Sequence, residues 1–196
     1  MVLLYYTLND TLVLQILNLG EDIMVKYIIF DFDGTLVDSI DLLVAITKDI
    51  ADKHKMNKLN NKEINELKIL SVKQRMERLN VPFYKLPLVT IDILTKYKQN
   101  AKQLKISSDI KNLLIQLKKL DLKLIVLSSN SAENIKKCLK ANGIECIDKI
   151  YSTRGLLDKS SVIKKFIKEN SLGKNKEEIL YVGDERRDID ACKKQG

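Results

Sequence analysis

The stretch YIIFDFDGTLVDS, residues 27–39, decides how this chain of 196 residues is organised. Its first four residues are apolar or aromatic, a pattern typical of a buried strand. Asp31 and Asp33 follow at once, and a Gly-Thr turn comes next. Because buried charges need compensating partners, paired carboxylates at a strand end indicate that a nearby group requires negative charge.

Strand and helix patterns alternate along the rest of the chain. The stretches 25–31, 122–130, 146–152 and 178–184 have the composition of short buried strands. A helical pattern precedes each of the last three, and the first of these helices can be capped by Ser107 or Ser108. The alternation predicts an α/β fold, a doubly wound parallel-sheet (Rossmann-like) core with covering helices. Ligands of such sheets bind beyond the carboxyl ends of the strands.

Three segments are predicted. Residues 24–38 and 106–196 form the core, and residues 39–105, which have a helical pattern punctuated by Pro82 and Pro87, form an inserted helical cap. Residues 1–23 form an N-terminal extension of uncertain role, either an addition from an upstream start or a small surface helix. They lack a basic n-region and a cleavage site, and Asn9, Asp10 and Gln15 interrupt their apolar run too often for a spanning helix.

Composition limits the classes of partner. The net charge of +8 comes mostly from scattered lysines without an aromatic-interleaved basic stripe, which favours small anionic substrates over nucleic acid or a membrane. The three cysteines lie in no CxxC spacing, so we expect reduced, mostly buried thiols in a cytoplasmic protein. The single histidine, His54, lies in a Lys-rich stretch and is expected to be solvated.

The candidate site residues lie at the predicted carboxyl ends of the strands and near one helix start: Asp31, Asp33, Gly34, Thr35, Ser129, Asn130, Lys159, Asp184 and Asp188. Such a set suits a phosphate ester. Gly34 lets backbone N–H groups approach an anion, Ser129–Asn130 offers a hydroxyl and an N–H, and Lys159 offers a point charge. Asp184 and Asp188 supply the hard oxygen ligands that Mg²⁺ prefers. A divalent ion and a phosphoryl group are therefore the expected neighbours of the paired carboxylates.

These motifs resemble those of the haloacid-dehalogenase-like hydrolase superfamily. DFDGTLVDS resembles the first motif, VLSSN the second, the Lys159 segment the third and YVGDERRD the fourth, in the family's order from about residue 25 onward. The helical insert resembles the family's small cap, and the whole is most similar to the phosphoglycolate-phosphatase-like branch.

The resemblance implies an enzyme, a Mg²⁺-dependent phosphatase of small phosphorylated metabolites. Asp31 would form an aspartyl-phosphate, and Asp33 would act as general acid and then general base. Ser129 would bind a phosphoryl oxygen, and Lys159 would hold Asp31 and the phosphate together. The remaining substrate-binding residues would be Gly34, Thr35 and Asn130.

The resemblance also implies where the metal binds. Mg²⁺ would sit between Asp31, the backbone carbonyl of Asp33, and Asp184. Asp188 would assist through the outer shell or an alternative coordination.

The chain departs from the family pattern at both ends. Family members usually continue beyond the fourth motif into another strand and helix, so the C-terminal end of the core is expected to be truncated, and residues 1–23 have no counterpart. Strand 179–183 should pair with strand 25–31 and leave an apolar edge on its other side. Residues 1–23 are one candidate to cover that edge.

Several alternatives remain open. A sugar phosphomutase uses the same two aspartates, and a truncated, catalytically silent homologue would carry the same motifs. A dehalogenase or a phosphonate hydrolase has less use for Asp33. The particular substrate and the oligomeric state are not encoded in any motif.

Overall fold

The computed structural model describes residues 2–4 (backbone), 25–67, 70, 72–153 and 159–196. The chain divides into two compact units, one made of the residues up to Val37 and from Lys105 onward, the other of Asp38–Leu104. Each boundary lies one residue from the predicted limit of the insert.

Among its described residues, the first unit contains a parallel sheet of five strands in the order β1-β5-β2-β3-β4. The strands are β1 Val2–Leu4, β2 Tyr27–Phe30, β3 Lys123–Ser128, β4 Lys149–Ser152 and β5 Ile179–Val182. Strand β2 lies between β3 and β5, with Tyr27 opposite both Lys123 and Ile179. The predicted α/β fold with a parallel sheet is confirmed. Because all the strands are parallel, their carboxyl ends meet at one edge of the sheet.

The helices are α1 Ile40–His54, α2 Asn61–Glu66, α3 Val72–Arg78, α4 Leu86–Asn100, α5 Ser108–Lys119, α6 Ala132–Ala141, α7 Lys159–Glu169 and α8 Arg186–Lys193. Helix α5 begins as predicted, because the Ser107 hydroxyl accepts a hydrogen bond from the Ile110 N–H at 3.3 Å. Within the described ranges, no helix is long and apolar enough to cross a membrane.

One apolar cluster of the first unit joins the sheet to helices α7 and α8. Ile29, Leu127 and Tyr181 from three strands pack with Phe166 and Ile163 of α7. The rings of Tyr27 and Phe166 meet edge to face with 5.4 Å between centroids. This packing fixes helix α7, and therefore its first residue, against the sheet.

The outer edge of β5 is covered by the chain's own N-terminus. Val2–Leu4 run parallel to Leu180–Val182, in register. These three residues form a strand, which corrects the expectation of a small surface helix at that point. They also pair with the edge of β5 that residues 1–23 were expected to cover. The rest of the predicted extension lies outside the described residues.

The second unit is helical, as its sequence predicts, and has its own core of apolar residues from helices α1, α2 and α4 and the turns between them, including Val44, Ile50, Leu59 and Val89. His54 corrects one expectation. Its side chain is buried at the end of α1, and its Nε2 lies 2.6 Å from Asp92 Oδ2 of α4. The histidine therefore joins two helices and is not solvated.

The cysteines are free, as predicted. Cys138 and Cys192 are buried, and burial raises the pKa of their thiols to about 11 and about 12 respectively. These two side chains therefore stay protonated and unreactive near neutral pH.

Candidate active site

Asp31 is the first residue after β2 and is almost fully buried, with 2% of its surface exposed. Its N–H continues the sheet by donating to the Val182 carbonyl at 2.8 Å. Its Oδ1 accepts from the Phe32 N–H at 2.7 Å, and its Oδ2 lies 2.8 Å from Lys159 Nζ. The carboxylate is therefore held on both oxygens by groups from two elements of the core.

Lys159 bridges two buried carboxylates. It is the first residue of α7, and its Nζ also lies 2.5 Å from Asp188 Oδ1. That oxygen accepts a further hydrogen bond from the Tyr181 hydroxyl at 3.1 Å, and Asp188 Oδ2 accepts from the Glu185 N–H at 3.1 Å. Asp188 is 1% exposed, so it fixes the lysine and the start of α8 from inside the core.

The charges in this cluster do not balance pairwise, because one ammonium serves two carboxylates. Burial, reinforced by the charge of Asp188 and opposed by Lys159 and Arg187, raises the pKa of Asp31 to about 7. Burial acts to lower the pKa of Lys159, but Asp31 and Asp188 outweigh it and raise that pKa above its ordinary value. The lysine therefore stays charged while Asp31 holds a proton more readily than an ordinary aspartate.

Gly183 leaves room for this arrangement. A Cβ at position 183 would lie 2.6 Å from Asp188 Oδ2 and 2.9 Å from its Cγ. Asp188 cannot move aside freely, because Lys159, Tyr181 and the Glu185 N–H all bind it. The glycine between β5 and Asp184 is thus required by close approach.

Three carboxylates lie close enough together to hold a metal ion. Oxygens of Asp31, Asp184 and Asp188 all lie within 4.8 Å of one another. Asp184 is half-buried, and its Oδ1 accepts from the Thr35 hydroxyl at 3.5 Å. A set of hard oxygen donors with unbalanced negative charge fits Mg²⁺. Both oxygens of Asp31 and both oxygens of Asp188 also contact donors of the protein.

Asp33 has a different environment from Asp31, although only Phe32 separates them. It is half-buried, and its Oδ2 accepts a hydrogen bond from Asn130 Nδ2 at 3.2 Å. The Asn130 N–H, predicted to face an anion, donates to Ser128 Oγ at 3.0 Å. In this structure Asn130 therefore binds Asp33 and its own turn.

The structure places the other predicted substrate-binding groups as follows. Ser129 is half-buried, and its Oγ accepts from Arg187 Nη2 at 3.4 Å. Gly34 has φ of +82°, a conformation that glycine adopts without strain. Its N–H donates to the Val37 carbonyl at 2.8 Å and so closes the turn.

Sequence reasoning missed three residues that belong to this site: Tyr181, Asn134 and Arg187. Arg187 pairs with Glu185 and contributes positive charge to Asp31 and Asp188. Its position between Asp184 and Asp188 in YVGDERRD is the sequence feature that could have identified it as a site residue. Asn134 lies four residues after Asn130, a spacing that brings side chains together on a helix start. Tyr181 carried no signal beyond being a strand residue.

Comparison with known proteins gives a consistent result. Residues 28–196 match the family model described as haloacid dehalogenase-like hydrolase. A phosphoglycolate phosphatase from Synechococcus elongatus is 28% identical over 170 residues, 86% of this chain and 79% of that protein.

Solved structures share the fold. A haloacid dehalogenase-like hydrolase from Streptococcus pneumoniae superposes with a TM-score of 0.74 at 18% identity, over 88% of this chain and 81% of that one. The protein CbbY from Rhodobacter sphaeroides, solved in complex with phosphate, gives a TM-score of 0.67 at 18% identity, over 88% of this chain and 84% of its own. The predicted family is confirmed: the chain belongs to the haloacid dehalogenase-like hydrolases and is a phosphatase-type enzyme among them.

Proposed function

We propose that this enzyme hydrolyses a small phosphorylated metabolite through an aspartyl-phosphate on Asp31, with Mg²⁺ as its cofactor. The observation that carries the proposal is the buried Asp31 carboxylate, bound to Lys159 at 2.8 Å and adjacent to Asp184 and Asp188. A nucleophilic carboxylate, a fixed cation and an acidic metal site are the parts that phosphoryl transfer requires.

In the first step, an oxygen of Asp31 attacks phosphorus and the bond from phosphorus to the leaving oxygen breaks. Asp33 gives its proton to that leaving oxygen. Lys159 and the Ser129 hydroxyl bind phosphoryl oxygens as charge moves between the attacking and leaving atoms. Because Ser129 Oγ accepts from Arg187, its own proton is free to point at the phosphoryl group.

In the second step, Asp33, now a carboxylate, removes a proton from water. The oxygen of that water attacks phosphorus, the bond to Asp31 breaks, and inorganic phosphate leaves. The net reaction consumes one water, and both aspartates return to their starting protonation states.

The metal would be held by Asp31, Asp184 and the backbone carbonyl of Asp33. When bound, it would neutralise phosphoryl charge and let Asp31 remain ionised beside other carboxylates. Asp188 would act mainly by holding Lys159, as its hydrogen bonds suggest.

The helical unit 38–104 is proposed to be the cap that selects the metabolite, and the enzyme is proposed to be cytoplasmic, as its free thiols suggest. The name of the cyanobacterial relative makes phosphoglycolate the first substrate to try.

The test is phosphate release by the purified protein from phosphoglycolate and a panel of phosphorylated metabolites, with Mg²⁺ and with a chelator. Intact-mass spectrometry after acid quenching should show one added phosphoryl group in the wild type and none in Asp31→Asn. Metal-independent release, or a phosphoryl group on the Asp31→Asn protein, would overturn the mechanism.

A further inference from the structure

We propose that Asn134 and Asn130 form a positioning chain that fixes the carboxylate of Asp33, so that it can protonate poor leaving groups. The inference rests on the proposed function of Asp33 as general acid and base. In this proposal Asn130 holds Asp33, whereas the sequence suggested that it contacts the substrate. Asn134 orients Asn130, a role that no sequence motif indicated.

The first step is the orientation of the Asn130 amide. Its Oδ1 accepts two hydrogen bonds, from the Ser131 N–H at 2.8 Å and from Asn134 Nδ2 at 3.0 Å. Because both partners are donors, the oxygen of this amide must face them. The NH₂ group must then face the other way, where Asp33 Oδ2 accepts from it at 3.2 Å.

The second step concerns Asn134, which lies in the first turn of α6 and is 3% exposed. Its backbone N–H is already capped by Ser131 Oγ at 3.2 Å, so the helix start does not use the Asn134 side chain. Within the described chain its Oδ1 has no hydrogen-bond partner. A buried, unpaired acceptor destabilises a fold, so an apolar residue of similar size would suit stability better.

The third step is the contrast between the two aspartates. Asp31 is buried, and its Oδ2 lies 2.8 Å from the Lys159 ammonium. Asp33 Oδ2 accepts from the Asn130 amide, whose own oxygen is held by two donors, so this contact can fix the orientation of the carboxyl group. A general acid must lie within hydrogen-bond reach of the leaving oxygen, so a fixed carboxyl group serves that role.

The competing explanation is purely structural. Asn130 would stabilise the turn after β3, and Asn134 would only pack beneath it. That explanation predicts that removing the Asn134 amide lowers stability and scales activity equally for every substrate.

The test compares two esters that differ in their need for an acid. Phosphoglycolate has an alkoxide leaving group that must be protonated, whereas p-nitrophenyl phosphate releases a stable anion. For Asn134→Leu we expect kcat/KM on the alkyl ester, which reports formation of the aspartyl-phosphate, to fall between about 10- and 100-fold, part of the usual contribution of a general acid. We expect kcat/KM on p-nitrophenyl phosphate to change little, and Tm to stay the same or rise.

Asn142→Leu is the matched control. Asn142 ends the same helix, and its side chain makes structural hydrogen bonds to the Ile106 N–H and the Cys138 carbonyl, each at 2.9 Å. This variant should lower Tm and leave the ratio of the two kcat/KM values at the wild-type level. Asn134→Ala serves as a second variant should the leucine not fit.

A further readout does not depend on activity. In ¹⁵N-labelled protein, the side-chain NH₂ signals of Asn130 should shift in both Asp33→Asn and Asn134→Leu, and should stay unchanged in Asn142→Leu. If the wild type hydrolyses neither ester, the proposed function fails while these shifts still report the chain of contacts. The inference is overturned if the Asn130 signals do not respond to Asp33→Asn, or if the two Asn134 variants leave the ratio of the two kcat/KM values unchanged.

Discussion

The Lys159 ammonium and the Asp31 carboxylate form a buried ion pair, with 2.8 Å between Nζ and Oδ2. Asp188 shares the same ammonium, which makes Lys159 a structural residue as well as a proposed phosphate ligand. Replacing it should therefore affect stability and activity together.

Lys159→Met should cost about 3–5 kcal/mol of unfolding free energy, because it leaves buried carboxylates without their cation. Chemical denaturation measures this. The double variant Lys159→Met with Asp188→Asn should recover part of the loss, since one of those carboxylates is then neutral. A single variant as stable as the wild type would contradict the charge arrangement described for this site.

Asp31→Asn should abolish detectable turnover while keeping the fold, because an amide cannot attack phosphorus. Asp33→Asn should lower kcat by about 10²–10⁴-fold on alkyl phosphates. Circular dichroism and steady-state kinetics measure the two effects separately. Near-normal turnover by folded Asp31→Asn would exclude it as the nucleophile.

The raised pKa of Asp31 predicts a pH-dependent response to metal. Its folded-state pKa of about 7 lies above the value of about 4 that an aspartate has in the unfolded chain. The group's stabilisation of the metal-free fold is therefore full below about pH 4 and is lost as pH rises through about 7. Mg²⁺ needs the ionised carboxylate, so the rise in Tm on adding Mg²⁺ should be larger at pH 8 than at pH 5 (both chosen to lie about one unit or more from that pKa).

Asp31→Asn is the control for that experiment. It should remove most of the pH dependence of the Mg²⁺ effect. An equal Tm response to Mg²⁺ at both pH values in the wild type would show that Asp31 does not compete with protons for the metal.

Gly183→Ala should destabilise the protein by about 1–3 kcal/mol, the usual cost of overpacking. The added Cβ would lie 2.6 Å from Asp188 Oδ2 and push it away from Lys159. We expect activity to fall further than stability alone explains. Gly173→Ala is a suitable control, because a Cβ there meets no heavy atom within 4 Å. Equal stability and equal activity of the two variants would show that Asp188 does not crowd position 183.

Deleting residues 1–4 should lower Tm and promote concentration-dependent association. The deletion removes the strand that pairs with Leu180–Val182, and each lost backbone hydrogen bond contributes about 0.5–1.5 kcal/mol. It also exposes a sheet edge that can pair with another chain. Differential scanning calorimetry and light scattering measure both effects. A deletion variant that stays monomeric with an unchanged Tm would show that β1 adds nothing to the sheet in solution.

Local sequence patterns were sufficient for much of this protein. The apolar run before Asp31, the capping serine at position 107 and the alternation after residue 105 predicted the parallel sheet, because strand burial and helix capping are local properties. The order of four motifs predicted the family, which the family model confirms.

The tertiary structure decided which side chains contact one another. Asp188 has the position of an ordinary helix-start acid, but packing of α7 against the sheet brings Lys159, 29 residues earlier, into contact with it. Asp33 meets an amide 97 residues away because β2 and β3 are parallel neighbours whose carboxyl ends coincide. His54 is buried because α1 and α4 pack together, which its Lys-rich surroundings do not reveal.

The sequence by itself determined which residues carry charge and which strand ends present them, since these depend on composition and on period along the chain. The tertiary structure alone decided that Asp31 pairs with Lys159, that Asp33 accepts a hydrogen bond from Asn130 and that Val2–Leu4 pair with the edge of β5. The physical reason is that ion pairs and hydrogen bonds act over a few ångströms in space. Residues far apart in the chain reach that distance only after the strands have paired and the helices have packed.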